Sequence, residues 1–266
     1  MNIPHNEFKQ RLLHGEQQYG LWLGLAQTLS AEICADAGFD WLLIDAEHGP
    51  NDLRSILAQL QVIAAYGSHP VVRPPHGDHV LIKQLLETGV QTLMIPMVES
   101  AAQAAHLVQA MRYPPHGIRG VGSALARASR WGRIGDYMHT ANDEMCLLVQ
   151  VETRAGLENL DAIRAVEGVD GIFFGAADLA ASFGLPGEAD HPDIVRMIED
   201  GLRRVSAQGT WGGVLCGDRA LVQRYQAAGA RFVAVGVDSM ILSAATSQLC
   251  ATYKPDTAKA ATAASY

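Results

Sequence analysis

The sequence predicts an α/β fold in which eight parallel strands, each followed by a helix, close into a (β/α)8 barrel. Two observations predict this fold. Short apolar runs, typical of buried parallel strands, recur along the chain, and segments of helical length separate them. Strands that alternate with helices form right-handed βαβ units, and eight such units in about 250 residues match the barrel. An open doubly wound sheet is the alternative, but the Gly-rich phosphate turn that such sheets more often carry after the first strand is not present.

The elements follow one another with short connections. A helical cap over residues 6–14 precedes the barrel pattern. The predicted strands are LWLGL (21–25), WLLID (41–45), PVVR (70–73), TLMIP (92–96), CLLVQVE (146–152), GIFFG (171–175), GGVLC (212–216) and FVAVG (232–236). The predicted helices cover 30–37, 52–65, 79–87, 100–111, 153–166, 192–207, 219–228 and 239–251.

Composition favours one globular domain over residues 1–252, followed by a flexible tail rich in Ala and Thr over 253–266. Apolar residues make up 48% of the chain and charged residues 18%, which is ordinary for a globular protein. The net charge of −8 argues against a nucleic-acid surface. No apolar run approaches the roughly 18 residues of a membrane helix, and residues 1–13 are too polar for a signal peptide. We therefore expect no nucleic-acid or membrane partner.

The cysteine pattern indicates a cytoplasmic protein. The four cysteines lie far apart and form no Cys-x-x-Cys pair: Cys34, Cys146, Cys216 and Cys250. This spacing favours buried thiols in a reducing compartment over disulfides or a zinc site.

One connection, over residues 113–142, is abnormally long and contains four arginines. Loops of this length inside a domain are usually functional or disordered. Its glycines do not follow a strand, so a dinucleotide-binding turn is a poor interpretation. We expect it to contact an anion or a neighbouring subunit.

Polar side chains gather where the predicted strands end. In such a barrel the carboxyl ends of all strands open on one face, which carries the active site. The opposite ends of the strands carry few such groups, and a random scatter would not favour one rim. The polar residues at the carboxyl ends are Asp45, Glu47 and His48, then Arg73, then Gln150 and Glu152, and finally Asp178.

Each of these residues also has a purely structural interpretation. Asp45 alone is most often the cap of the following helix, and Asp178 suits the same role. His48 alone is more often a hydrogen-bonded loop histidine. Glu152 could form an ion pair, and Arg73 could pair with an acid across the barrel mouth. The functional interpretation is favoured because these residues converge on one rim.

The chemistry of the set is coherent. Glu152 and Asp178 are hard oxygen donors that suit Mg²⁺ or Mn²⁺ with open coordination positions. Such a cation polarises a ketone and stabilises the enolate formed from it. Arg73 can stabilise a developing oxyanion, and His48 can carry a proton at neutral pH. Backbone N–H groups at Ala177 and Asp178, which open a helix, could hold a carboxylate. The set predicts reversible C–C bond formation through the enolate of a 2-oxo acid.

Several segments resemble the metal-dependent (class II) pyruvate aldolases of the 4-hydroxy-2-oxo-heptane-1,7-dioate aldolase family. The resemblance runs from about residue 20 to about residue 249. It rests on WLLIDAEHGP, PVVRPP, RYPPHGIRGVGSALARASRWGR, VQVETRAGLENL, GVDGIFFGAADLA and FVAVGVD. It implies a barrel whose last helix packs on a neighbouring subunit, within a hexamer built from dimers. It also implies cleavage of 4-hydroxy-2-oxo-heptanedioate to pyruvate and succinate semialdehyde in the catabolism of aromatic compounds.

The resemblance implies roles for individual residues. His48 falls at the position of the general base and Arg73 at that of the transition-state stabiliser. Glu152 and Asp178 fall at the positions of the ligands of a divalent cation, Mg²⁺, Mn²⁺ or Co²⁺. The pyruvate contacts fall on Gln150 and Ala177, together with Asp178.

Two positions depart from the family pattern. Glu87 stands where the family has an aspartate that raises the basicity of the histidine, and it is one methylene longer. Whether Glu87 acts on His48 within one subunit or across a boundary is open. Ala176 stands at the position of a proline, whose fixed φ would hold the turn before Asp178.

Other functions are open at this point. A relative with another acceptor, such as a 2-dehydro-3-deoxyglucarate-type aldolase, is the nearest, and acceptor choice falls to the predicted cavity walls Trp22, Leu215 and Val237. A non-catalytic barrel that binds metal and oxo acid has no need of a proton carrier such as His48. A nicotinamide oxidoreductase lacks its phosphate fingerprint. No lysine falls at the rim, so a Schiff base is not expected.

Overall fold

The computed structural model describes residues 1–254, and in them eight parallel strands close into a barrel in sequence order, as predicted. The strands are β1 (Gln18–Leu23), β2 (Trp41–Asp45), β3 (His69–Arg73), β4 (Thr92–Ile95), β5 (Cys146–Val151), β6 (Gly171–Phe174), β7 (Trp211–Leu215) and β8 (Ala230–Val237). The barrel places the carboxyl ends of all strands around one mouth.

Helices cover the outside of the barrel. They are α1 (Glu7–Leu13), α2 (Thr28–Asp36), α3 (Leu53–Ile63), α4 (His79–Glu87), α5 (Ala101–Met111), α6 (Tyr137–Glu144), α7 (Arg154–Glu158), α8 (Leu160–Arg164), α9 (Ala176–Ser182), α10 (Pro192–Ser206), α11 (Arg219–Ala227) and α12 (Asp238–Tyr253). None of the helices described has the length and hydropathy needed to cross a membrane. The predicted tail begins at the last residue of α12, and its residues 255–266 lie outside the described part of the chain. The single-domain organisation stays a prediction.

The structure adds α9, which is not among the predicted helix ranges. Three other places differ by more than two residues or in the number of elements. The first strand begins three residues earlier than predicted, at Gln18. The helix predicted over 153–166 is two short helices, α7 and α8. The long connection contains α6 and two 3-10 turns, Ser123–Leu125 and Arg127–Ser129.

Strand side chains alternate between two apolar layers. In β2, Trp41 and Leu43 face the barrel interior, whereas Leu42 and Ile44 pack against the surrounding helices. Because side chains two positions apart share a face, the next inward position is Asp45. The same period makes Arg73 of β3 the inward residue that ends its strand. Apolar side chains therefore fill the barrel, and polar ones end it at the mouth.

The amino end of the barrel is closed by α1. The ring of Phe8 lies edge-on to Trp41, at 6.0 Å between centroids, and to Phe232, at 5.8 Å. Phe8 is 1% exposed. The only broad opening of the described barrel interior is thus at the carboxyl ends of the strands, where a cavity of about 460 Å³ lies.

Candidate active site at the carboxyl end of the barrel

The mouth cavity brings most of the predicted site residues together. Its walls include Trp22, His48, Arg73, Gln150, Ala177, Asp178, Leu215 and Val237, all of which the sequence predicts, and also Asp45 and Ser239. Glu152 follows Gln150 at the end of β5 and is buried, with 1% of its surface exposed. Of the predicted site residues, Glu152 and Glu87 do not themselves line the cavity.

Asp45 is a partner of Arg73 and not a helix cap. Both carboxylate oxygens accept from the guanidinium: Nε donates to Oδ1 at 2.9 Å and Nη2 donates to Oδ2 at 2.8 Å. The interpretation of Asp45 as a helix cap is wrong, because Asp52 caps α3 through the N–H groups of Arg54 and Ser55. Burial opposes ionisation of Asp45, but the hydrogen bonds and charge of Arg73 outweigh it and lower the pKa of this carboxyl.

Arg73 has further contacts inside the cavity. Its Nη1 lies 2.9 Å from Oε2 of Glu47 and donates to Oε1 of Gln150 at 3.4 Å. The guanidinium also packs over the ring of Trp22, at 5.1 Å from the centroid. Burial opposes the positive charge, but Asp45 and Glu47 more than compensate, so the pKa of Arg73 is raised. The arginine is a fixed, permanently charged donor at the centre of the mouth.

Glu152 is a buried carboxylate held by neutral donors. Its Oε1 accepts from the backbone N–H of Met97 at 2.8 Å, and its Oε2 accepts from the Gln150 amide. Met97 presents this N–H from a left-handed conformation with φ of 56°, which is uncommon for a residue other than glycine. Burial raises the pKa of Glu152 to about 7, and the negative charges of Asp178 and Glu47 act in the same direction against the Met97 hydrogen bond.

Asp178 lies in the first turn of α9 and lines the cavity. The turn before it approaches β5 closely: a Cβ on Gly175 would lie 2.8 Å from Cβ of Glu152 and 2.9 Å from Nε2 of Gln150. Glycine is therefore required here by space. Although Ala176 replaces the proline of the family pattern, α9 begins at that residue and Asp178 still faces the mouth.

The donor set fits a divalent cation. Glu152 and Asp178 are oxygen donors, and the charge of Asp178 adds to the effect of burial in raising the pKa of Glu152. A cation between two such carboxylates would relieve both the burial cost and the repulsion. Within residues 1–254, no cluster of three or more His, Cys, Asp or Glu side chains has the arrangement of a metal centre. These residues therefore suit a cation site with two protein ligands, Glu152 and Asp178, and with open coordination positions.

His48 lies at the outer edge of the mouth. Its side chain is 68% exposed, and its Nε2 lies 3.8 Å from Oε2 of Glu47. The ring borders the cavity and is accessible to a bound molecule or to water. The position suits a group that exchanges protons with a ligand.

Glu87 lies far from this mouth within one protomer. It ends α4, and since α4 runs back towards the start of β4, Glu87 lies at the amino end of the barrel. There it lines a separate hollow of about 620 Å³ with Lys83, Arg127 and Trp131. The structure therefore does not bring Glu87 to His48 within a subunit, and an action across a subunit boundary stays a prediction.

The long connection does not line the mouth either. Arg119 is 1% exposed and packs over the ring of Tyr113, at 4.3 Å from the centroid. Arg127 donates from Nη1 to the carbonyl oxygen of Thr88 at 2.7 Å. Leu125 and Trp131 are 88% and 59% exposed. Two of its arginines are thus held by aromatic or backbone groups of the same chain, and anion contact stays a prediction.

Comparison with known proteins identifies relatives over nearly the whole chain. Residues 18–245 match the model of a family described as HpcH/HpaI aldolase/citrate lyase. A Deinococcus radiodurans protein named hydroxypyruvate/pyruvate aldolase is 61% identical over 249 residues, 94% of this chain and 90% of that protein. A Salmonella dublin protein named 4-hydroxy-2-oxo-heptane-1,7-dioate aldolase is 55% identical over 248 residues, 93% of this chain and 94% of that protein.

A solved structure shows the same barrel. The crystal structure of a HpcH/HpaI aldolase/citrate lyase family protein from Burkholderia cenocepacia J2315 matches with a TM-score of 0.89 at 41% identity. The match covers 94% of this chain and 99% of that chain.

Proposed function

Since the chain belongs to the HpcH/HpaI aldolase/citrate lyase family, we propose that this carbon–carbon lyase cleaves and forms an aldol bond through the enolate of a 2-oxo acid. One observation carries the proposal. A buried arginine lies at the same mouth as two carboxylates, and Gln150 joins Arg73 to one of them by accepting from Arg73 and donating to Glu152. Oxyanion stabilisation and cation binding can therefore act on one small molecule.

Glu152 and Asp178 would hold the divalent cation, Mg²⁺, Mn²⁺ or Co²⁺. When bound, such a cation acts as a Lewis acid towards the ketone and carboxylate oxygens of a 2-oxo acid. Gln150 and Ala177 border the same space and would contact the oxo acid. The neutral hydrogen bonds from Met97 and Gln150 orient Glu152 without neutralising it.

His48 and Arg73 carry the remaining steps. In the cleavage direction, the His48 ring accepts the proton of the 4-hydroxyl, directly or through a water molecule. The C3–C4 bond then breaks, the aldehyde leaves, and the electron pair of the bond passes into the enolate. The guanidinium of Arg73 stabilises the developing negative charge on the enolate oxygen until C3 is protonated.

The substrate has two candidates. Cleavage of 4-hydroxy-2-oxo-heptanedioate to pyruvate and succinate semialdehyde, in aromatic catabolism, is supported by the relative that carries this name. The second candidate joins pyruvate or hydroxypyruvate to an uncharged aldehyde, and a cavity feature favours it. Of the described residues that line the cavity, Arg73 alone is a lysine or arginine, and it is already paired with Asp45 and Glu47. Among the described residues that line the cavity, a distal carboxylate would find no unpaired lysine or arginine.

We also propose that the protein is a homo-oligomer, with a hexamer as the predicted state. Helix α12 supports this, because among its 16 residues the structure buries Asp238 alone. Ile241, Leu242 and Leu249 of this helix are more than half exposed. Such an apolar helix requires a partner surface, and exchange of α12 between subunits would supply it.

The cytoplasmic location stays a prediction, and the four cysteines in the described region are free thiols.

The proposal is tested by exchange of the pyruvate methyl protons in deuterated water, followed by NMR with and without EDTA. We expect exchange that added Mg²⁺, Mn²⁺ or Co²⁺ restores. The Arg73→Ala variant should lose exchange while still binding the cation. The matched control is Arg231→Ala, which removes a guanidinium packed 5.0 Å from the ring of Trp211 at the amino end of the barrel.

Two outcomes would contradict the proposal. Absence of exchange with every added cation would favour a non-catalytic barrel that binds metal and oxo acid. Full activity of Arg73→Ala would remove Arg73 from the scheme. Aldol addition assays of pyruvate with succinate semialdehyde and with uncharged aldehydes then separate the two substrate candidates.

A further inference from the structure

Glu47 places a carboxylate between the two residues that act on the substrate. It follows β2 in the rim loop, and its side chain is 16% exposed. Its Oε2 lies 2.9 Å from Nη1 of Arg73 and 3.8 Å from Nε2 of His48. The same oxygen is buried and has no hydrogen bond of regular geometry in the described structure. It is close to the Arg73 guanidinium and to the His48 ring, and it forms a regular hydrogen bond with neither.

Neutralising Arg73 does not require this carboxylate. Asp45 already binds the guanidinium through two hydrogen bonds, which satisfy the usual bidentate geometry of the pair. A second, partly buried carboxylate at the same arginine adds repulsion from Asp45 and from Asp178. Consistent with this, burial raises the pKa of Glu47, and the charges of Arg73 and His48 oppose the shift. Placing the Glu47 carboxylate here therefore costs free energy, through burial and repulsion, and the ion pair with Arg73 alone does not explain why it is here.

The contact with His48 supplies the explanation. A histidine that removes a proton from a hydroxyl becomes positively charged, and a carboxylate at ion-pair distance stabilises that form. The side chain of His48 is 68% exposed, so few groups of the described chain other than Glu47 can hold its ring over the cavity. Glu47 is also anchored, because its backbone N–H donates to Oδ1 of Asp45 at 3.0 Å.

We propose that Glu47 is a positioning residue that holds the ring of His48 over the mouth and stabilises its protonated form. This inference rests on the proposed aldolase function. It gives His48 an acidic neighbour from its own subunit, whereas Glu87 lies at the other end of the protomer. The groups that face Glu47 are Arg73 and His48, which are cationic or become so, and Asp45, Asp178 and Glu152, which are acidic.

The test compares variants of Glu47 with and without His48. Glu47→Gln keeps the shape of the side chain and removes its charge, and Glu47→Asp keeps the charge. We expect Glu47→Gln to lower kcat for aldol cleavage by about 10- to 100-fold, in the range of a displaced catalytic group. The KM for the oxo acid should change less than kcat, and Glu47→Asp should recover part of the loss.

The double variant decides how Glu47 acts. If it acts through His48, adding Glu47→Gln to His48→Ala should change kcat by less than about twofold, because the effects of residues that act as a unit are not additive. The control is Glu16→Gln, which breaks the Arg11–Glu16 pair, 3.0 Å apart, at the amino end of the barrel. It should leave kcat unchanged.

Three results separate the possible failures. Wild-type kcat in Glu47→Gln, or an equal loss with and without His48, would overturn the positioning role. If Glu47→Gln does not fold, as measured by circular dichroism, Glu47→Ala takes its place in the same cycle: wild-type kcat, or the same loss with and without His48, overturns the role. If the wild-type protein neither cleaves an aldol nor exchanges pyruvate protons, the proposed function itself fails.

Discussion

Asp45 and Arg73 are register partners across β2 and β3, and their side chains meet in a two-point ion pair at the barrel mouth. The pair is buried, with Asp45 3% and Arg73 6% exposed. Because parallel strands set the two side chains side by side and facing inward, the guanidinium is held before any substrate arrives. This preorganisation is what an oxyanion stabiliser needs.

Replacing Asp45 should damage both stability and activity. Asp45→Asn removes the charge that accepts from Nε and Nη2 of Arg73, and breaking a buried pair costs about 3 kcal/mol. We expect that loss in the free energy of unfolding, measured in urea, together with at least about 100-fold lower aldol cleavage. Asp200→Asn, which breaks an exposed pair with Arg203, should cost less than about 1 kcal/mol. Equal losses in the two variants would contradict this view of the pair.

The close approach at Gly175 predicts a selective loss of activity. In Gly175→Ala, the added methyl would displace the Glu152 carboxylate and the Gln150 amide. We expect metal affinity and cleavage to fall by about 10- to 100-fold, as for altered support of a metal ligand. Gly67→Ala is the control, since a Cβ there meets no atom within 4 Å. Unchanged metal affinity in Gly175→Ala, measured by calorimetry, would contradict the role of this glycine.

His69 predicts a defined pH dependence of stability. Burial lowers the pKa of His69 from the ordinary 6.5 to about 4, and its Nε2 lies 2.9 Å from Oγ1 of Thr92. The unfolded chain therefore binds a proton at a pH where the folded chain does not. The stability from this residue is complete above about pH 6.5 and is lost progressively as the pH falls towards about 4.

The His69→Gln variant tests this dependence, because glutamine keeps a polar group near Thr92 but does not titrate. Between about pH 6.5 and 4, the wild-type free energy of unfolding should fall more steeply than that of the variant, by up to about 1.4 kcal/mol for each pH unit. Urea unfolding at several pH values gives both curves. Parallel curves across this window would show that His69 is not the group responsible.

Helix α12 predicts the effect of charges on assembly. Leu242 and Leu249 are 54% and 62% exposed, so a glutamate at either position is tolerated in a monomer but not in an apolar interface. We expect Leu242→Glu and Leu249→Glu to reduce the mass measured by analytical ultracentrifugation. Gln248→Glu, on the same helix, is the control for charge alone. A wild-type mass in both leucine variants would exclude α12 from the interface.

Much of the fold could be predicted because it depends on local patterns. Apolar runs and helix-length spacers predicted the closed barrel, and the motif resemblance to aldolases is confirmed at the level of the family. The start of β1 was harder to predict from the sequence. Gln18 and Tyr19 do not continue an apolar run, and Gly20 is required because a Cβ there would collide with the ring of Trp41. That requirement comes from a distant residue.

In the candidate site too, local patterns predicted some residues, and contacts between distant residues determined the others. Position at strand ends predicted that His48, Arg73, Gln150 and Asp178 would share one mouth. The role of Asp45 was missed, although its two-residue spacing from Leu43 was a usable signal, because an aspartate after a strand also suits a helix cap. Glu47 was seen at the rim but not assigned, since its contacts depend on Arg73 in the next strand. Contacts between strands are not encoded in local sequence.

Binding of Mn²⁺, followed by electron paramagnetic resonance, tests most directly whether Glu152 and Asp178 together hold a cation. We predict stoichiometric binding to the wild-type protein and loss of at least about 10-fold in affinity in Glu152→Gln and in Asp178→Asn. Glu99→Gln, an exposed carboxylate that accepts from Thr153, should bind as the wild type does. Undiminished affinity in both site variants would contradict the account.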